Sequence, residues 1–196
     1  MTSTRLPLVL ASTSPFRQAL LARLGLEFAV VSPLVDETPA PNEAPEHLVG
    51  RLSEAKARAG AAEVGDALVI GSDQVALVEG DILGKPGSRT NAVKQLARLS
   101  GRAVTFLTGL CLFNSQAQRL QSDIVLFRVI FRELDAAQID RYVAREQPFN
   151  CAGSFKSEGL GIALFERMEG HDPTALIGLP LIRLTTMLRE EGIVLP

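Results

Sequence analysis

The residues of this chain best suited to chemistry are carboxylates and cations set beside small polar residues. Asp73 follows an apolar, β-branched run, Leu68-Val69-Ile70, and a small pair, Gly71-Ser72. That run reads as a buried strand that breaks at Gly-Ser and delivers the acid to solvent in a cleft, because an unpaired carboxylate in a core is very costly. The same residue also reads as a loop Asp capping the next element. Glu37 stands beside Asp36 in a segment bracketed by Pro33 and Pro45. Carboxylate oxygens such as those of Glu37 and Asp73 are what Mg²⁺ requires, with water and substrate phosphates completing its octahedron. A single acid near a phosphate-bound metal could also take a proton from water and aim that water at phosphorus.

Ser12, Thr13 and Ser14 precede a helix whose first turn contains Arg17. Free N–H groups at a helix start, the positive dipole end, small hydroxyls and a guanidinium together make an anion site. Serine caps are also common without any ligand. Lys56, Lys85 and Lys156 are candidates for further phosphate contacts, each with a plain reading as a solvated surface lysine. Lys85 is the most suggestive, since Gly84 and Pro86 should fix it in a tight turn.

The elements that must position these groups follow from pattern. Leu6 to Leu10 reads as a short buried strand; Ser14 then caps a helix with Pro15 at its first position and Gly25 as its stop. Pro33 to Pro45 is a surface loop, and Glu46 to Ala62 returns to helical spacing with Leu48, Val49, Leu52, Ala55 and Ala59 on one side. After the Asp73 strand, Glu79-Gly80-Asp81 reads as a hairpin turn and Gly84-Lys85-Pro86-Gly87 as a second turn. Thr90 is expected to cap a helix ending at Gly101, and Val104 to Asn114 and Ile124 to Phe131 read as long strands. Asp135 with Gln138 is a capping-box signature for a helix stopped by Pro148. Asn150 to Glu158 is a polar loop, and a C-terminal helical region from Pro173 to Glu191 should break at Gly178 and Pro180. This order is a mixed α/β fold, with no linker that divides the chain.

Composition narrows the function classes. With 196 residues, 46% hydrophobic and 21% charged, the chain is a soluble globular protein with one sizeable core. A net charge of −2 with scattered Lys and Arg argues against nucleic acid or an acidic membrane as partner. Cys111 and Cys151 lack metal-site spacing, and His47 and His171 are far apart, so neither zinc nor an imidazole-rich site is expected. No apolar run reaches spanning length and Met1-Thr2-Ser3-Thr4-Arg5 is no signal segment, which makes the cytoplasm the expected location.

Taken together, Leu10-Ala11-Ser12-Thr13-Ser14-Pro15-Phe16-Arg17, Val35-Asp36-Glu37-Thr38, Glu54-Ala55-Lys56, Gly71-Ser72-Asp73-Gln74 and Leu83-Gly84-Lys85-Pro86 resemble, in order and spacing, the Maf family of nucleotide pyrophosphatases. Thr108-Gly109, Tyr142 and Gly153 to Gly159 match as well, so the likeness spans the chain as a single domain, 1–196. The resemblance implies an α/β fold, a mixed sheet with flanking helices and two lobes around a cleft, related to the inosine triphosphate pyrophosphatases. It implies hydrolysis of nucleoside triphosphates to monophosphate and pyrophosphate with a divalent metal cation, Mg or Mn, and suggests a homodimer. It places the general base on Asp73, the metal on Glu37 and Asp73, and the triphosphate on Ser12, Arg17, Lys56 and Lys85.

Three positions depart from the dTTP- and UTP-preferring pattern, which has Arg at Phe16, Thr at Gln74 and Gln at Glu158. Phe16, Gln74 and Glu158 instead resemble the branch that prefers 7-methyl-GTP. The physics agrees, since N7-methylation makes guanine cationic and an aromatic face attracts a cation. A carboxylate could also accept from both N1–H and N2–H of guanine. The plainer reading of Phe16 is a core residue of the first helix. Competing readings are the same reaction on dTTP, UTP or another noncanonical triphosphate, and a non-catalytic regulator of cell division.

Overall fold

The computed structural model describes residues 6–195; Met1-Thr2-Ser3-Thr4-Arg5 lie outside them. Strand β1 (Leu8–Ala11) is buried at every position. Ser14 then caps helix α1 (Pro15–Ala22), its hydroxyl accepting from the Arg17 amide while Pro15 fills the first turn, where no N–H is needed. Strand β2 (Ala29–Val31) is an addition to the sequence reading, for three residues carry no periodic signal. Residues 32–44 form no regular element, and Pro45 opens the long helix α2 (Pro45–Val64).

Strand β3 (Leu68–Val78) corrects the expected break. It runs through Gly71 and Ser72, so Asp73 sits mid-strand rather than at a strand end. Gly71 serves packing instead. A Cβ there would stand 2.1 Å from the Ser53 carbonyl oxygen and 2.7 Å from the Ala57 amide nitrogen of α2. Gly109 in strand β5 (Ala103–Asn114) plays the same part, with a Cβ falling 2.3 Å from the Val49 carbonyl oxygen. Two glycines on two strands thus let α2 lie directly against backbone.

The expected hairpin is present: β3 turns through Glu79 and Gly80, at φ 53° and 89°, into strand β4 (Asp81–Leu83). Positive φ at both turn residues matches the right-handed twist of paired strands. Gly84 to Gly87 is an irregular loop and not a tight turn, because Pro86 is buried and the Gly87 amide donates to the Phe149 carbonyl. Ser88, not Thr90, caps helix α3 (Arg89–Leu99), since its hydroxyl precedes the first turn and accepts from the Asn91 amide. Strand β6 (Arg119–Phe131) begins before the predicted Ile124, and helix α4 (Ala136–Glu146) carries the full capping box of Asp135 and Gln138. Strand β7 (Phe165–Gly170) lay outside the sequence reading, its Glu-Arg-Met-Glu core being polar and mostly exposed. Helices α5 (Pro173–Ile177) and α6 (Leu181–Glu190) flank the predicted break.

Among the described residues the strands form one seven-stranded mixed sheet in the order β2-β1-β3-β5-β6-β7, with β4 on β3. Strand β1 is parallel to both β2 and β3, whereas β3–β4 and β6–β7 are antiparallel. The chain divides into two compact units. The first comprises residues up to Gln74, Thr108–Val125 and the chain from Gly178; the second is Val75–Leu107 with Leu126–Ile177. In the first unit Val9, Ala11, Ala57, Ala61, Val69, Cys111 and Phe113 form one buried cluster between sheet and α2. In the second, Phe155 meets Phe106, Phe131 and Phe165 edge-to-face at 4.9–5.5 Å between centroids, a favoured aromatic geometry.

Candidate active site

The buried stripe of α2 runs Leu48, Val49, Leu52, Ser53, Lys56, Ala57 and Gly60, so helical spacing places a lysine among apolar residues. Lys56 is tolerated there because strand β3 presents Asp73 to it. The Nζ–Oδ1 distance is 2.7 Å, with the two side chains only 10% and 12% exposed. Glu37 reaches the same ammonium from the segment between β2 and α2, at 2.6 Å, with its side chain 62% exposed. Two carboxylates, one buried and one wet, therefore converge on one cation. Asp73 does not lie free in solvent as the sequence suggested.

A second cluster in the same unit surrounds Arg17. Its Nε donates to the Gly178 carbonyl at 2.8 Å and its Nη1 to the Ser12 hydroxyl at 3.4 Å. Ser12 Oγ also accepts from the Ser14 amide, at 3.3 Å, and Ser72 Oγ donates to the same Gly178 carbonyl at 2.9 Å. Burial pushes the Arg17 pKa down from its ordinary value, opposed by the charges of Asp73 and Glu37. A guanidinium remains charged in proteins. A cation at a helix start, held by neutral oxygens, is suited to receive an anion.

Phe16 occupies the first turn of α1 with 36% of its surface exposed, so it is not a core residue. Gln74 Nε2 donates to Thr108 Oγ1 at 2.9 Å. Glu158 is exposed and accepts from the Ser157 hydroxyl at 3.3 Å. Lys85 is exposed in its loop. Lys156 donates to the Glu146 carbonyl at 2.7 Å, at the end of α4. The first unit thus joins Glu37, Lys56 and Asp73 in one contact group and Ser12 with Arg17 in another, and it also carries Phe16 and Gln74. Lys85 and Glu158 belong to the second unit. Burial raises the thiol pKa of Cys151 and pushes that of Cys111 up to about 12, which disfavours the thiolate form of both.

Sequence reasoning missed Ser72 and the Gly178 carbonyl as partners of the Arg17 cluster. For the backbone oxygen no sequence signal exists; for Ser72 its position next to Asp73 was the available hint. Among the described residues no group of three or more His, Cys, Asp or Glu side chains could hold a metal ion. Glu37 and Asp73, meeting at one ammonium, nevertheless suit a cation such as Mg²⁺, which is commonly held by one or two carboxylates plus water and substrate phosphates. No helix among the described residues is long and apolar enough to cross a membrane.

The family model described as Maf-like protein matches residues 7–191. A protein of Nitrosococcus oceani named 7-methyl-GTP pyrophosphatase is 56% identical over 185 residues, covering 94% of this chain and 93% of the relative. Proteins of the same name from Idiomarina loihiensis and Methylobacillus flagellatus are each 54% identical, over 190 and 187 residues, covering 96% and 95% of this chain and 96% and 97% of the relatives.

Proposed function

The chain belongs to the Maf family, and on that premise we propose that it hydrolyses 7-methyl-GTP to 7-methyl-GMP and pyrophosphate. The observation that carries this reading is the agreement of three relatives named for that activity, each at least 54% identical across nearly the whole chain. The site chemistry supports it. Asp73 takes a proton from water, whose oxygen attacks the α-phosphorus; the α–β bridging oxygen leaves with pyrophosphate. Lys56, held between Asp73 and Glu37, pairs with the buried carboxylate and offers its charge to the phosphates. Arg17 and Ser12 receive the triphosphate at the start of α1, with Lys85 adding a charge. Glu37 and Asp73 would hold a divalent cation, Mg²⁺ or Mn²⁺, which when bound neutralises phosphate charge and favours attack.

Base choice falls to Phe16, Gln74 and Glu158. The exposed face of Phe16 offers a cation–π contact of about 0.5–2 kcal/mol to the methylated ring. Glu158 can accept from both donors of the guanine edge, which a Gln cannot do. We place this activity in the cytoplasm, where it would clear modified nucleotides.

The test is a panel of 7-methyl-GTP, GTP, UTP and dTTP with products separated by chromatography in ¹⁸O-labelled water. The expected result is the highest kcat/KM on 7-methyl-GTP, with label in the monophosphate alone. Preference for UTP or dTTP would overturn the substrate, and label in pyrophosphate would overturn the site of attack.

A further inference from the structure

Glu37 poses a positional problem. It lies in a stretch without regular structure, residues 32–44, and its own side chain is largely in water. Nothing about its burial holds it over Lys56. Immediately after it, however, the Thr38 carbonyl accepts from Arg51 Nη2 at 3.2 Å. Arg51 is itself aimed by a two-pronged contact with Glu43, Nε to Oε1 at 2.7 Å and Nη2 to Oε2 at 2.8 Å. Glu43 closes the circle by accepting from the Ala40 amide at 2.9 Å, and its side chain is only 8% exposed. On the near side, Asp36 Oδ1 accepts from the Thr38 amide at 2.9 Å. Arg51 and Lys56 both project from α2, five residues or about 7.5 Å of helix rise apart. One helix therefore holds the Glu37 side chain at Lys56 and the backbone just beyond it at Arg51.

We infer that Arg51, oriented by Glu43, is a positioning residue that sets the Glu37 carboxylate at the reaction centre. This rests on the assignment of Glu37 to the metal. An arginine is required because three oxygens, two on Glu43 and one on Thr38, are met by one planar fork. Lysine has a single nitrogen to offer them. The loop carries three further prolines, Pro33, Pro39 and Pro41, which limit its own conformations without choosing among them. The fork ties the Thr38 carbonyl and Glu43 to α2.

The experiment compares wild type with Glu37→Gln, Arg51→Ala, Arg51→Lys, Glu43→Gln and the Glu37→Gln/Arg51→Ala pair. Mg²⁺ is titrated in turnover of 7-methyl-GTP. Mn²⁺ binding is followed by electron paramagnetic resonance with the α,β-methylene analogue of GTP, which cannot be cleaved at that bridge. Loss of a group that orients a metal ligand typically costs about 10- to 100-fold in metal affinity. Arg51→Ala should therefore raise both half-saturating metal concentrations by that factor, with kcat at saturating metal close to wild type. Arg51→Lys should fail to restore them, Glu43→Gln should move them the same way, and the double variant should be no worse than Glu37→Gln alone. If Glu37→Gln weakens metal binding and Arg51→Ala does not, the positioning role is wrong while the metal assignment stands. If Glu37→Gln itself changes nothing, the metal assignment fails and the inference falls with it. A drop in melting temperature alone, with metal dependence unmoved, marks Arg51 as merely structural and overturns the inference.

Discussion

Replacing Asp73 by Asn separates chemistry from folding at the centre of the site. The amide is close in shape to the carboxylate but cannot take a proton, and losing a general base typically costs about 10²–10⁴ in rate. The same substitution strands Lys56, whose side chain is 10% exposed, with only the wet Glu37 as counter-charge. Breaking a fully buried pair by removing one partner costs about 3–5 kcal/mol. Glu37 survives as a screened partner, so about 3 kcal/mol is the figure for Asp73→Asn. Against a total stability of about 5–15 kcal/mol, that loss leaves a folded protein whose turnover is measurable below its melting range. Lys56→Met creates the reverse defect, a buried Asp73 without its ammonium. Removing both charges together should leave a protein more stable than either single variant, because neither ion is then stranded. The assay is urea denaturation of all four proteins, alongside pyrophosphate release at a temperature where all are folded. Rate should be lost in every variant, and stability should return only in the double one. Simple additivity of the two stability losses would refute the coupling, and wild-type turnover by Asp73→Asn would refute the base.

Phe16→Arg and Glu158→Gln should each lower kcat/KM for 7-methyl-GTP relative to UTP by roughly 5- to 150-fold, from losing a cation–π contact or a charge-assisted hydrogen bond of about 1–3 kcal/mol; equal losses on both substrates would dissociate them from base choice. Gly71→Ala should cost about 1–3 kcal/mol or more by thermal melting, since its Cβ would fall 2.1 Å from the Ser53 carbonyl oxygen of α2; an unchanged melting temperature would mean that the helix shifts freely. The hydrogen bonds from Arg51, and then the Ala40 amide, hold the Glu43 carboxyl down to about 2 from its ordinary 4.5. A depressed folded-state pKa stabilises above the ordinary value and is lost as pH falls through the folded one, so the gap in urea midpoint between wild type and Glu43→Gln should be full at neutral pH and close between about 4.5 and 2. A gap that persists unchanged at pH 2 would mean that Glu43 acts through shape alone.

Much of this molecule is legible from residue types in order, because caps, prolines and turns act locally. Ser14-Pro15, Asp135 with Gln138 and Glu79-Gly80 each do in the structure what their chemistry predicts. The failures occur where a distant partner decides. Gly71 looks like a strand break because a glycine weakens a strand taken alone; it is retained because α2 arrives from elsewhere in the chain and needs the room. Asp73 was expected in solvent because its partner Lys56 lies seventeen residues away on another element. Arg51 looks like one more solvated arginine until Glu43 and the Thr38 carbonyl are placed around it. Strand β7 is recruited by pairing with β6 and has no apolar run of its own to announce it.

The Gly178 carbonyl, which receives both Arg17 and Ser72, is a main-chain atom. Replacing side chains one at a time across the site would never delete it, and a scan of that kind would register Arg17 and Ser72 while leaving their shared anchor unseen. Its weakness is instead conformational. Gly178 sits at φ 120°, where L side chains rarely go, and a Cβ there would approach Arg17 Nε to 3.4 Å. A substitution at Gly178 would therefore disturb the aim of the arginine by tilting a peptide plane rather than by removing a functional group. In variants drawn from random mutagenesis, a change at this glycine would look like a folding defect and yet act by shifting the carbonyl that holds Arg17 and Ser72.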